Sequence, residues 1–468
     1  MSQESKPASP TFQEAITSDT VLDRIVALRA PGKLRAMELM LLLFAVAIGV
    51  AGIIIVDLTV RGELSTTMLV PGLIYVAALF GLHIVVRLVA SDADPLFVPI
   101  AAFLSSIGVI EIYRLDLAND KSGWGADSVR QLIWLAVAIA IAAVVLIIVR
   151  NHLTLYRFTY LSGLGALVLL ILPMVPGIGS EINGAKVWIR IGDSMSFQPG
   201  EIAKILLAIF FAGYLISNRD ALAMAGKKFL GIVFPRGRDL GPLLVIWFTS
   251  MIVLIFQRDL GTSLLYFGLF LSTLYVATAR KGWLVLGISL FLIGGIIASQ
   301  VFSHVSTRFQ NWFNPWADPQ NSGYQMIQGL FGLANGGMLG TGLGGGFPEI
   351  TPYAQSDYIF ASLGEELGLV GLFMILLVYL IFVGRGLRVS FAGQDDFGKL
   401  LAMGLSFSIA FQVFIVLGGI TRVIPLTGLT APFLAAGGSS LVSNWIIVAL
   451  LLRLSNAVRN RPKLVIRA

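Results

Sequence analysis

The chain has 468 residues, 56% of them hydrophobic and only 13% charged, with a formal net charge of +7 and no cysteine. A water-soluble domain carries about 25% charged residues, so that class is excluded, and the missing cysteines exclude disulfides, thiolate chemistry and Cys-ligated metals. The three histidines, His83, His152 and His304, stand too far apart in sequence to suggest a cluster.

Residues 1–36 are polar, contain Arg24, Arg29, Lys33 and Arg35, and show no cleavable signal pattern, so a cytoplasmic tail is expected. Beyond them, apolar runs of about 16 to 25 residues alternate with short polar breaks, the pattern of spanning helices and not of strands. Twelve spans are predicted, near 37–58, 67–90, 95–113, 129–149, 153–178, 200–217, 241–256, 262–279, 283–302, 356–384, 398–419 and 431–453. The expected fold is all-α: one polytopic transmembrane bundle over 37–455, a large extracellular loop at 303–355 before the tenth span, and a short basic tail at 456–468. With the N-terminus inside, about 23 of the 33 Lys and Arg face the cytoplasm and about 9 face outside. The positive charge therefore reports topology in a membrane and contact with its lipids, not nucleic-acid binding.

Three outer segments carry the polar chemistry. After the fifth span, Lys186 and Arg190 flank Trp188, and Pro199 opens a helix on which Glu201 and Lys204 share a face at i, i+3. Ionisable residues so close to an apolar run face a cavity or each other: either a structural ion pair, or a cationic pocket in which Arg190 and Lys204 hold phosphate oxygens. Arg258-Asp259 is either a polar hairpin or part of the same pocket. In the long loop, Asn314-Pro315-Trp316-Ala317-Asp318-Pro319 holds a carboxylate between two prolines, each stiffening the backbone around it. Trp312, Trp316 and Tyr324 offer faces on which a sugar ring can stack, with Gln328 as a further candidate contact. An Asx turn before proline is the simpler account of Asp318, but it leaves the aromatics and the later Glu349, Asp357, Glu365 and Glu366 unexplained. Gly340 to Gly345 formally matches G-x-G-x-x-G, yet no strand precedes it and no βαβ unit fits among the spans, so close backbone packing or a hinge is expected instead. Small residues from Thr427 to Leu441 suit close helix packing, and Arg422 beside them is a candidate phosphate contact.

Six stretches together resemble the SEDS family (shape, elongation, division, sporulation), whose main branches are RodA and FtsW: NGAKVWI, FQPGEIAK, QRDLGT, NPWADP with GYQMIQ, SDYIFASLGEELGLVG and TGLTAPFLAAGGSSL. The resemblance covers roughly residues 95–455 in family order. It implies a peptidoglycan glycosyltransferase that polymerises lipid II on the outer membrane face beside a class B penicillin-binding protein, and it puts the family's essential loop aspartate on Asp318. Two extra N-terminal spans on a ten-span core, and the short tail, resemble the actinobacterial RodA form more than the long-tailed FtsW proteins. Gly200, Arg258 and Ala435-Ala436 depart from the family's usual Ser, Pro and Ser-Tyr without removing a charged group.

The expected chemistry is inverting glycosyl transfer. Asp318 takes the proton of the acceptor's 4-hydroxyl, and Lys186, Arg190 and Lys204 stabilise the departing pyrophosphate. Glu201, Trp316, Tyr324, Gln328 and Arg422 are further candidate substrate contacts. The Asp318 pKa is expected to rise once substrate closes the loop and excludes water. A divalent cation (Mg2+ or Mn2+) on the pyrophosphate is compatible with this, although no ligand cluster demands one. A lipid II transporter, suited by Glu201, Lys204 and Gly/Pro-interrupted helices, and a scaffold for the cross-linking partner are the competing classes.

Overall fold

The computed structural model describes residues 31–182, 185–191, 195–219, 228–229, 232–233 and 241–460. The tail expected before residue 31, the Asn183-Gly184 turn, most of the Arg219 to Arg238 break and the basic tail beyond residue 460 lie outside the described residues.

Each of the twelve apolar runs is helical, since in lipid a backbone must satisfy its own hydrogen bonds. In chain order, α1 is Pro31–Val56, α2 Leu69–Val89, α3 Phe97–Ala118, α4 Asp127–Ile148, the short α5 Leu153–Arg157, α6 Thr159–Ile171, α7 Pro199–Ser217, α8 Gly241–Phe256 and α9 Leu260–Thr278. Next come α10 Lys281–Val301, α11 Ser303–Phe313, α12 Tyr324–Gly336, α13 Ile359–Ala392, α14 Asp396–Ile420 and α15 Gly438–Arg459. Ten helices among the described residues are long and apolar enough to cross a bilayer, while α6 and α8 are shorter than the spans expected there. The chain is a polytopic helical membrane protein.

Two regions differ from the all-α expectation. The segment after α6 forms a three-stranded antiparallel sheet, β1 (Gly179–Ile182), β2 (Ala185–Ile191) and β3 (Met195–Phe197), because its alternating apolar and polar residues suit a pleated surface. The two-residue strands Lys228–Phe229 and Ile232–Val233 pair with each other. The long polar stretch at 303–355, expected as a loop, contains α11 and α12.

Helices α3, α7, α9, α14 and α15 are largely buried and form the centre of the bundle. The N-terminal pair lies against it, α1 along α3 and α2 along α4. A buried chain joins the pair: Arg35 binds Glu38, and Glu38 Oε1 lies 2.7 Å from His83 Nδ1. At its other end Asp57 accepts a 2.6 Å hydrogen bond from Tyr113 of α3. Helix α10 is the opposite case, with only 6% of its most apolar stretch buried.

Most of the polar elements converge on one end of the bundle, called here the loop face. Arg114 at the end of α3 donates to Glu366 of α13 and to Glu349, both at 2.6 Å. Gly368 interrupts α13 with φ 68°, and a Cβ there would strike the backbone of Leu339 and Gly340. The glycines near 340 thus serve close backbone packing. Thr341 N and Gly342 N bond the carbonyls of Glu365 and Glu366 across this contact, at 3.0 and 2.9 Å. At the opposite face Asp94 collects 2.8 Å bonds from Arg385 Nε and Arg459 Nη2, which joins α13 and α15 to the start of α3.

Candidate active site

The floor of the site is the first turn of α7. Pro199 and Gly200 start the helix and Glu201 follows, in the acid-favouring N-terminal turn. Lys204, one turn later, is 1% exposed and donates 2.9 Å bonds to Glu201 Oε2 and to Gln412 Oε1 of α14. Gln412 in turn donates to the Thr430 carbonyl at 2.9 Å, and Ser443 of α15 donates to the Glu201 carbonyl at 2.8 Å. The i, i+3 spacing therefore makes the ion pair that was one of its two readings, and the Lys204 ammonium is bound within the bundle instead of turned toward the loop face. Beside it Asp259 caps α9, accepting from Thr262 N at 3.0 Å, Thr262 Oγ1 at 2.6 Å and Gln198 Nε2 at 3.1 Å. Burial raises the Asp259 pKa and the two Thr262 bonds oppose that rise.

The three-stranded sheet stands over this floor. Val187 of β2 is buried and shares the lining of a cavity of about 10 Å³, room for one water, with Gln198, Asp259 and Thr262. Period-two alternation puts Lys186, Trp188 and Arg190 on the other face of β2. Neither Lys186 nor Arg190 has a hydrogen-bond or ion-pair partner among the described residues, and Arg190 is exposed. Two cations without a partner among the described residues thus flank an indole on one face of β2.

Residues 303–324 form the wall. Asp318 follows a single 3-10 turn, Pro315–Ala317, and is partly exposed. Its Oδ1 accepts from Asn321 Nδ2 at 2.9 Å and its Oδ2 from the Ser322 amide and hydroxyl, both at 3.1 Å. These bonds, that of Asn321 foremost, hold its pKa below the usual aspartate value. The turn geometry expected of an Asp before proline is thus present, and it presents the carboxylate outward. A carboxylate has about four acceptor sites, so room is left for a substrate hydroxyl. Ser322 Oγ also donates to Asn311 Oδ1 at 3.2 Å, while Asn311 Nδ2 donates to the Ser322 carbonyl at 2.6 Å, tying the Asp318 turn to α11.

Trp316 is 53% exposed and packs at 5.7 Å on Phe331 of α12, leaving most of its ring free; Tyr324 is also exposed and Gln328 half-buried without a partner among the described residues. Arg422 has another employment than the phosphate contact expected of it. Its Nε and Nη2 donate to the Trp312 carbonyl at 3.1 and 2.8 Å and Nη2 to Phe313 at 2.9 Å, while Trp312 Nε1 donates back to the Arg422 carbonyl at 2.9 Å. It caps the free carbonyls at the end of α11.

The arrangement has known counterparts. The profile of the cell cycle protein family FtsW/RodA/SpoVE matches residues 94–460. This chain belongs to that family. A protein named peptidoglycan glycosyltransferase RodA from Mycobacterium tuberculosis (strain H37Rv) is 45% identical over 431 residues, 92% of each chain. Its counterpart in Mycobacterium leprae is 44% identical over 428 residues, 91% of each. Stage V sporulation protein E of Bacillus subtilis is 33% identical over 380 residues, 79% of this chain and 98% of that one. Among solved structures, a peptidoglycan synthase complex that coordinates polymerization and crosslinking contains a chain with TM-score 0.63 at 23% identity, covering 79% of this chain and 99% of that one. The rod shape determining protein RodA of Thermus thermophilus gives TM-score 0.54 at 21% identity, with 79% and 98% covered. These two likenesses carry the FtsW/RodA/SpoVE fold.

Two charged groups that the sequence did not single out for the site lie between floor and wall. Arg308 of α11 donates to the Thr427 carbonyl at 2.8 Å, and Asp357 sits in a recess just before α13. Burial pushes the Asp357 carboxyl up to about 6, against the pull of Arg308. Their meaning comes from tertiary approach, for which the local sequence carries no signal. No group of three or more His, Asp or Glu among the described residues is arranged to hold a metal ion, and the steps below run through protein side chains alone.

Proposed function

We propose that this chain polymerises lipid II into glycan strands for cell elongation, as a RodA-like peptidoglycan glycosyltransferase working with a class B penicillin-binding protein. The loop face is extracellular and both termini are cytoplasmic, a reading supported by the Lys and Arg distribution. The observation that carries the activity is Asp318: an ionised, outward-presented carboxylate beside the exposed Trp316 and Tyr324, on the membrane face that also holds the open cations Lys186 and Arg190. Support for elongation over division comes from 44–45% identity to RodA proteins against 31–35% to FtsW proteins. Support for the partner comes from the fold shared with a complex that joins polymerization to crosslinking.

In the proposed step the acceptor 4-hydroxyl sits within about 3 Å of Asp318. Its oxygen attacks the donor's anomeric carbon from the face opposite the pyrophosphate while its proton passes to the carboxylate. The bond from that carbon to the phosphate oxygen breaks, and its electron pair leaves with the pyrophosphate toward Lys186 and Arg190. Sugar stacking on Trp316 and Tyr324, with Gln328 at the ring edge, orients the attack. The hydrogen bonds that lower the Asp318 pKa weaken it as a base; substrate closing over the turn removes water and restores basicity. Glu201 and Lys204 hold the floor in register below.

The test is polymerisation of purified lipid II by the full-length protein with and without its penicillin-binding partner. Wild type is expected to make glycan chains and Asp318→Asn none. Chains from both variants would remove Asp318 from the chemistry, and chains from neither, beside an active control synthase, would move the weight to transport or scaffolding.

A further inference from the structure

Arg308 and Asp357 approach each other beside Gly428 without forming an ion pair. Gly428, with φ 79°, lies between them: a Cβ at that position would be 3.6 Å from both Arg308 Nη2 and Asp357 Oδ2. Two atoms each 3.6 Å from one point are no more than about 7 Å apart, and no ion pair within 4.0 Å closes between the two side chains. Arg308 Nη1 is bound to the Thr427 carbonyl, which leaves Nη2 and Nε free to donate. Among the described residues the Asp357 carboxylate has the neighbouring Ser356 as its hydrogen-bond partner. Asp259, the other carboxylate near Arg308, has its oxygens taken by Thr262 and Gln198.

This pair continues the face that presents Asp318. Arg308 and Asn311 are i, i+3 neighbours on α11, and Asn311 holds Ser322, which holds Asp318. The separation of the two groups lies between 4.0 Å and about 7 Å, a range that includes a phosphate with one oxygen toward each at charge-assisted contacts of about 2.7–2.9 Å. Resting on the glycosyltransferase reading, we propose that Arg308 and Asp357 form a second phosphate seat beneath Asp318 for the pyrophosphate of the polyprenyl-linked donor, Arg308 supplying charge and Asp357, as the neutral acid, donating a hydrogen bond to a phosphate oxygen. A carboxylate there would repel the phosphate. The Asp357 carboxyl, raised to about 6 mainly by burial, is largely ionised at pH 7 and gains its proton as the pH falls toward 6, so the seat tightens on that side. The charged or titratable groups near it are Arg308 on α11, Asp259 ahead of α9 and the adjoining Tyr358. Beyond Arg308, burial and the two arginines Arg308 and Arg258 lower the His304 pKa.

The experiment measures lipid II polymerisation by the full-length protein between pH 5.5 and 7.5. In the wild type the KM for lipid II is expected to fall severalfold as pH drops through about 6, with kcat changing less. Asp357→Asn, a permanent neutral donor, should have a low KM that no longer varies with pH. Arg308→Ala should raise KM at least tenfold, and Arg308→Lys should recover part of the loss. Undecaprenyl pyrophosphate should compete with lipid II, and at least tenfold more weakly in Arg308→Ala; competition by inorganic pyrophosphate alone would overturn the lipid-linked assignment. Wild-type KM and pH profile in both Asp357→Asn and Arg308→Lys would overturn the seat while leaving the glycosyltransferase reading intact. Should the wild type make no polymer, that reading fails by itself, and intrinsic tryptophan fluorescence on adding undecaprenyl pyrophosphate, wild type against Arg308→Lys, still decides the seat.

Discussion

The floor and the wall of the site solve opposite problems with similar residues. Glu201 and Lys204 are 7% and 1% exposed and take their remaining partners from α14 and α15. Asp318 is partly exposed, and the partners of its carboxylate belong to its own turn. Inside a membrane bundle an unpaired charge is costly, so the floor is bonded to distant helices and fixed. Outside it water can stand in for a partner, and the carboxylate needs only the donors of its own turn. Long-range anchoring and local presentation are thereby assigned to different segments.

The widest separation of the two regions should come from Asp318→Asn. Loss of a general base lowers rate by about 10²–10⁴-fold, while the melting temperature in detergent should be unchanged because the side chain packs on little. Its lowered pKa carries a sign as well: the carboxylate is ionised throughout the neutral range, and activity should be lost only as pH falls through a value below that of ordinary aspartate. A kcat/KM profile collapsing near neutrality would contradict this. Lys204→Met should behave inversely, since removing one partner of a buried pair costs about 3–5 kcal/mol. A lower melting temperature, largely restored when Glu201→Gln is added, would mark the floor as structural; an unchanged one would break the contrast. Smaller again is Arg422→Ala, which uncaps α11 and frees the Trp312 and Phe313 carbonyls at a cost of about 1–3 kcal/mol. Faster amide exchange confined to residues 303–324 is expected, without change in α7. The smallest effect belongs to Gly200→Ser. A Cβ there meets Tyr266 Oη at an ordinary 3.5 Å, so the buried position accepts the side chain without a clash and the melting temperature should shift less than in Arg422→Ala.

The bundle was legible from the sequence because lipid enforces a simple rule, and every apolar run is a helix in the structure. The turn at Asp318 was legible too, since the two flanking prolines leave a local imprint. Pairings across the chain were not. Arg422 was read as open because its partners, Trp312 and Phe313, lie about 110 residues away. The bonds from Arg114 to Glu349 and Glu366 cross more than 230 residues, and nothing near Arg114 announces them. The helices of the 303–355 stretch escaped notice because their polar and glycine content suggests a loop, while their apolar side is defined only by the surface on which they fold.

Helix α10 has one more consequence. It leans on α9 through Gly287 and the stacked Phe291, leaves most of its outer residues exposed, and passes into α11 through Phe302 alone. Mechanically it is a lightly packed arm in series with a stiffer one, so lipid shares with side-chain packing in setting its tilt. Its 21 residues match a bilayer core of about 30 Å. A thinner or thicker membrane would therefore load α11, to whose far end the Asp318 turn is tied.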